Sequence, residues 1–211
     1  MSPAAFADGM RMRVQTRVLV AAALALALSG SPAGAAEIRG HVSLPVATRF
    51  EDVAIWLDTP AAPGSPGLRE AISQKGAQFE PKFLVVGAGQ DVDMLNDDSV
   101  AHNVFSYSPA KKFNLGLYPQ GTSKSVTFDR PGVVDIYCSI HRQMRTTILV
   151  VQSRHFTAAD RDGVYSLKNV PPGRYTLRAW HRDFGETSAA IDVVAGKDVS
   201  YPVKFTAREK R

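Results

Sequence analysis

The chain has 211 residues, 45% hydrophobic and 21% charged, with one cysteine and a net charge of +5. That balance excludes wholesale disorder, and the length allows one large or two small domains. A single cysteine excludes an intramolecular disulfide, and so mild a basic excess, with no phosphate loop, basic helix or aromatic platform, excludes nucleic acid as the expected partner.

The first segment differs from the rest. Arg11, Arg13 and Arg17 precede the eleven apolar residues Val18 to Leu28, then come Ser29-Gly30-Ser31-Pro32 and the small residues Ala33 to Ala36. This pattern predicts a secretory signal peptide over 1–36. Its apolar run is far shorter than the roughly 20 residues that span a bilayer, so no membrane anchor is expected to remain after cleavage. The leader's three arginines and Asp8 leave +3 on the remaining chain. The expected location is outside the cytoplasm, most simply the periplasm.

After the leader nearly every readable segment predicts a strand, being short, rich in β-branched residues and bounded by Gly, Pro, Asn or Asp. Glu37 to Leu44 and Val53 to Leu57 read as an opening pair, and 59–70 as a Pro/Gly/Ala linker with nothing to bury. Lys82 to Val86, Val100 to Tyr107, Ser123 to Phe128, Val133 to Tyr137 and Thr146 to Val151 follow. Beyond Gln152 a second β pattern begins, in which the turn Asp160-Arg161-Asp162-Gly163 followed by alternation predicts a hairpin. No segment keeps a helical period, so the expected class is all-β, a sandwich with many turns.

The chemistry concentrates at Cys138-Ser139-Ile140-His141-Arg142-Gln143-Met144, where a thiol, an imidazole and a thioether recur every three residues between two strands. His102 stands 36 residues upstream at the start of another strand, close enough in topology to return to the same place. Two His and one Cys with a weak Met describe an electron-transfer copper site. Zinc also binds Cys and His, but a thioether fourth ligand suits copper better. A free thiol in an oxidising compartment is a liability unless a metal holds it. Asp160-x-Asp162-Gly163 lacks the further carboxylates of a calcium loop and reads as a turn. His41, His155 and His181 share no spacing and are expected to be surface or strand residues. No nucleophile motif assembles around Ser166 or Asp162, so no enzymatic activity is expected.

These residues carry a resemblance. Phe79-Glu80-Pro81, Gly89-Gln90-Asp91-Val92, Asn96-Asp97-Asp98, His102-Asn103-Val104, Pro131-Gly132 and the Cys-x2-His-x2-Met loop make 71–152 similar to a cupredoxin of the plastocyanin and amicyanin kind, with a loop spacing nearer amicyanin's. Arg142 stands where that family often has proline. The resemblance implies a Greek-key sandwich holding one copper ion on His102, Cys138, His141 and Met144, with His141 as the surface electron exit. It also implies that Asn103, next to the first ligand, ties the two ligand segments together through Ser139. Residues 155–206 resemble a carboxypeptidase regulatory-like domain, a small transthyretin-type sandwich, and Ile38-Arg39-Gly40-His41-Val42 with Asp52 to Leu57 resemble its first two strands. A cupredoxin inserted in, or placed next to, that sandwich is therefore expected, with 207–211 as a tail.

Three functions are compatible with this reading: a one-electron carrier, a copper sequestration or delivery protein, or a binding module with an accessory cupredoxin. A carrier needs a redox protein partner. Lys111, Lys112, Arg142 and Arg145 are candidate docking residues on one positive face, which would suit an acidic partner.

Overall fold

The structure is a computed structural model and describes residues 34–59 and 69–207. Most of the expected leader, most of the 59–70 linker and residues 208–211 lie outside the described residues. Ala36, the last residue of the expected leader, already begins the first strand.

Seventeen strands follow in order: β1 (Ala36–Ser43), β2 (Ala54–Leu57), β3 (Arg69–Lys75), β4 (Gln78–Glu80), β5 (Phe83–Gly87), β6 (Gln90–Asn96), β7 (His102–Ser108), β8 (Lys111–Tyr118) and β9 (Ser123–Phe128), then β10 (Gly132–Tyr137), β11 (Arg145–Val151), β12 (Phe156–Ala158), β13 (Val164–Val170), β14 (Gly173–His181), β15 (Gly185–Val193), β16 (Val199–Ser200) and β17 (Val203–Lys204). Among the described residues the one helical turn is the 3-10 segment Phe50–Asp52. The protein is all-β, as its strand propensities predict.

Two sandwiches result. In the first, the sheet β5-β11-β10-β7-β8 faces the sheet β4-β3-β6-β9. Their inner residues, among them Phe79, Met94, Val104, Phe128, Ile136, Ile148 and Met144, form one core that includes Cys138. In the second, the sheet β12-β2-β14-β15 faces β13-β1-β16, with β17 also on β1. Ile38, Ile55, Leu57, Tyr165, Leu167, Leu177 and Ile191 fill that core. β1 and β2 thus pair only with strands from 156–204.

This corrects the expected opening pair. β1 and β2 join opposite sheets of one sandwich, because Ile38 and Val42 on one and Ile55 and Leu57 on the other point at a common interior. The Asp162-Gly163 turn likewise makes no hairpin: Gly163 adopts φ +78, and β13 leaves it to pair antiparallel with β1. The hairpin of this region is β14-β15, in register from Gly173↔Val193 to His181↔Gly185.

A third apolar layer joins the sandwiches. Successive strand residues point to opposite faces, and in β2 all four are buried. Ile55 and Leu57 face the second core, whereas Ala54 and Trp56 meet Phe83, Val85, Leu149 and Val151 from the outer face of the first sandwich. β11 divides in the same way, with Ile148 and Val150 inward and Leu149 and Val151 outward. Continuous apolar runs such as Ile148-Leu149-Val150-Val151 are what strands covered on both faces require.

Candidate metal centre

Two connections bring the site together. The antiparallel pair β10-β11 runs in register to Tyr137↔Arg145, so Cys138 to Met144 is the loop that closes this hairpin. Within it, the Cys138 N–H donates to the Met144 carbonyl at 3.3 Å and the Met144 N–H to the His141 carbonyl at 2.9 Å. The loop is therefore short and tied to itself, and its three-residue spacing sets where the side chains emerge. β7 pairs with β10 through Phe105↔Tyr137, which sets His102 beside the loop.

The stretch before His102 is shaped by two side chains. Asn96 Nδ2 donates to the Val100 and Tyr118 carbonyls, each at 2.9 Å, while its Oδ1 accepts from the Asp98 N–H at 3.0 Å. Asp98 accepts from the N–H groups of Ala77 at 2.8 Å and Ser99 at 3.0 Å, and its Oδ2 lies 2.9 Å from His102 Nε2. The Ala77 N–H, then the His102 contact, hold the Asp98 carboxyl below the usual carboxylate range. An Nε2–H directed at this carboxylate leaves Nδ1 as the free lone pair, which is how an outer carboxylate selects the tautomer of a ligating histidine.

That Nδ1 faces the other donors. It lies 3.2 Å from His141 Nδ1 and 4.0 Å from Cys138 Sγ, and one ligand atom from each of the three residues falls within 4.8 Å of the other two. His102 and Cys138 are buried and His141 is partly buried. Three donors packed this closely, with no carboxylate or amide among them to separate the lone pairs, form a set that a soft or borderline cation fits. Met144 is fully buried in the same core as Cys138. Tyr118 lies opposite His102 on β8 and is pushed up to about 12 by burial, with the Cys138 charge adding to the shift. Its hydroxyl donates to the Met94 carbonyl at 3.0 Å and accepts from Gln74 Nε2 at 2.6 Å, walling one side of the site.

Other expected site residues fall elsewhere. Asn103 is buried, but its Nδ2 donates to Asn114 Oδ1 on β8 at 2.8 Å, and among the described residues no side-chain hydrogen bond joins it to Ser139, which is exposed. The β7–β8 pairing also shifts register between Asn103 and Phe105. Lys111 and Lys112 are strand residues opposite Ser108 and Tyr107, whereas His102 lies opposite Tyr118 at the other end of the same hairpin. Six residues of strand separate His102 from Ser108, roughly 20 Å. Lys111 is also occupied by Asp129 at 3.0 Å. The positive face therefore keeps only Arg142 and Arg145, both exposed, near the site. His181, expected on a surface or a strand, is a buried strand residue.

Asp98 is the functional residue that sequence reasoning left without a role. Its signal was the i,i+4 relation to His102, which has no meaning until the intervening loop folds back.

Comparison with known proteins agrees with this geometry. Residues 68–151 match the family model described as copper binding proteins, plastocyanin/azurin family, and 144–207 match the carboxypeptidase regulatory-like domain. Among solved structures, a purple cupredoxin from Nitrosopumilus maritimus shares 26% identity over 39% of this chain and 99% of its own, with a TM-score of 0.36. A Cu-containing nitrite reductase from Thermus scotoductus SA-01 shares 23% over 53% of this chain and 28% of its own, with a TM-score of 0.39. An amicyanin variant shares 17% over 46% of this chain and 98% of its own, with a TM-score of 0.37. Residues 68–151 are thus similar to copper-binding proteins of the plastocyanin/azurin family and carry in His102, Cys138 and His141 a group that fits copper, and 144–207 are similar to a carboxypeptidase regulatory-like domain.

Proposed function

We propose that this chain is an exported one-electron carrier. The observation that carries the proposal is the closing of three donors, from a strand start and a self-bonded hairpin loop, into one group of which His102 and Cys138 are buried. Copper bound there supplies a one-electron couple. His102, Cys138 and His141 would hold it, and the Met144 thioether would be the weakest donor. The chain's own part is rigidity: both ligand segments are anchored to paired strands on one packed core, so the donors hold nearly one arrangement in either oxidation state. Export is supported by the basic, apolar and small-residue succession of 11–36.

His141 is the ligand nearest solvent, and three exposed apolar residues lie beside the ligand segments. Ile140 is 52% exposed, Leu117, opposite Asn103, is 61% exposed, and Val100 is 48% exposed. A redox partner docks over His141 on these three side chains, with Arg142 at the rim. The test is to load the purified protein with one copper per chain and record its visible spectrum. An intense thiolate-to-copper absorption, abolished by Cys138→Ser, is expected. A colourless loaded protein overturns the reading.

A further inference from the structure

A cleft of about 510 Å³ opens where the two sandwiches meet, next to the apolar layer that joins them. Its floor is aromatic. The rings of Phe83, from the first sandwich, and Trp180, from the second, stack with centroids 5.9 Å apart and planes 18° from parallel, and Tyr137 lines the same space with 39% of its surface exposed. Offset stacks of this kind leave a flat apolar surface on which a further ring can lie.

The charges around that floor are unevenly matched. Asp135 is taken by Arg182, and Asp52 by Arg49 at 3.7 Å. Lys82 and Arg145 line the cleft without a carboxylate partner among the described residues, and Lys82 meets only the amide oxygen of Gln78. Asp183 is the one lining carboxylate left over.

A third observation comes from His181, which also borders the cleft and is 2% exposed. Its Nδ1 accepts from the Asp183 N–H at 3.1 Å, so in the neutral ring Nε2 carries the hydrogen, and that buried Nε2 has no partner among the described residues. Buried donors are almost always satisfied, and each exception asks for an acceptor from elsewhere. Clefts at domain boundaries with an apolar surface and a few convergent polar groups are where small molecules bind.

The geometry points to a binding site for a small organic anion with a planar aromatic body: the ring lies against Trp180, the carboxylate is held by Lys82 and Arg145, and His181 is part of the wall. Arg145 directly follows the metal-binding loop. The site does not depend on whether the protein carries electrons.

Calorimetric titration of the full-length, copper-loaded protein with 2-naphthoate tests this, with 2-naphthalenemethanol as its uncharged match. Saturable binding of one naphthoate per chain is expected, about tenfold tighter than the alcohol, as charge-assisted hydrogen bonds to a carboxylate require. Joint replacement Lys82→Ala and Arg145→Ala should bring naphthoate to the level of the alcohol, while Arg145→Lys should keep most of the difference, separating lost charge from a disturbed loop. Trp180→Ala should weaken both probes, and Arg174→Ala, which touches only Asp192 on the outer surface, should change neither. Equal affinity for the two probes, indifference of naphthoate to the double replacement, or no saturable binding overturns the proposal. The copper spectrum of each variant shows that it has folded.

Discussion

His102 stands between Asp98 and Cys138: its Nε2 lies 2.9 Å from the carboxylate and its Nδ1 4.0 Å from the sulfur. The carboxylate thus fixes which nitrogen is free, and the metal-binding tautomer exists before metal arrives. Asp98→Ala should leave all four ligands in place yet let the ring turn and change tautomer. Copper affinity should fall by roughly 10–100-fold, the usual cost of losing an outer partner of a ligating histidine. Competition against a chelator of known affinity measures it, and an unchanged affinity would mean that packing alone orients the ring.

Met144 supplies a second prediction about the same group. Met144→Leu removes a weak donor with little change of volume, so the protein should stay folded, with a stability change under about 1.5 kcal/mol. Copper should remain bound, and the reduction potential should rise, because the oxidised ion loses more from the missing thioether than the reduced one. A voltammogram of the variant decides it. If the potential stays where it was, Met144 serves only the core in which it is buried.

The ligand loop was legible because its geometry is local. Three residue types at fixed spacing between two strands need only a hairpin to come together, and the β10-β11 register provides it. β6 was not legible: Gln90-Asp91-Val92-Asp93-Met94-Leu95-Asn96 carries Asp and Asn, which strands disfavour, and its alternation becomes clear only when buried Gln90 and Asn96 are seen to be hydrogen-bonded. β8 hid behind Lys111, Asn114 and Gly116, and β15 behind the small residues Ser188, Ala189 and Ala190 at its centre. The Asn103 bond to Asn114 joins β7 to β8, and no residue type announces that pairing. The interdomain cleft unites Phe83, Arg145 and Trp180, which meet only through long-range packing.

The strand exchange between ends of the chain has an energetic consequence. A fragment of residues 153–211 lacks β1, the strand between β13 and β16, and β2, the strand between β12 and β14. With the middle of both sheets missing, about 60 residues cannot bury a sufficient core, and the fragment should show no cooperative unfolding. In the whole protein Trp56→Ala should cost about 3–5 kcal/mol by opening a cavity in the layer between the sandwiches, while leaving the copper spectrum unchanged, since Trp56 lies in a different cluster from Cys138. Denaturation followed by circular dichroism reads both results.

His181 sets a dependence on pH. Burial lowers its pKa below 6.5, and burial lowers that of His155 as well. The folded protein therefore keeps a neutral ring while the unfolded chain takes up a proton as pH falls through about 6.5. Stability should be flat with respect to these groups above that value and decline below it, levelling once pH passes the lowered folded pKa. Each group contributes at most about 1.4 kcal/mol per pH unit. His181→Gln should reduce the slope between pH 6.5 and 5 in denaturant titrations of the apoprotein; a slope identical to wild type would mean that His181 does not contribute to it.

The last prediction separates two accounts of partner docking. With Lys111 and Lys112 at the far end of their hairpin, Arg142 and Arg145 are the basic residues that remain beside the ligand loop, and Ile140, Leu117 and Val100 present exposed apolar surface next to the ligand segments. Electrostatic steering acts mainly on association rate and is screened over about 8 Å at physiological salt. Two arginines should therefore give a shallow salt dependence, and Arg142→Glu a modest slowing of electron transfer. Apolar contact acts throughout the encounter, so Ile140→Asp and Leu117→Asp should each slow transfer more than Arg142→Glu does, with the copper spectrum intact. Stopped-flow rates with the native partner over a range of salt provide the comparison. A steep loss of rate with salt, together with indifference to the two aspartates, would give the docking face back to the arginines.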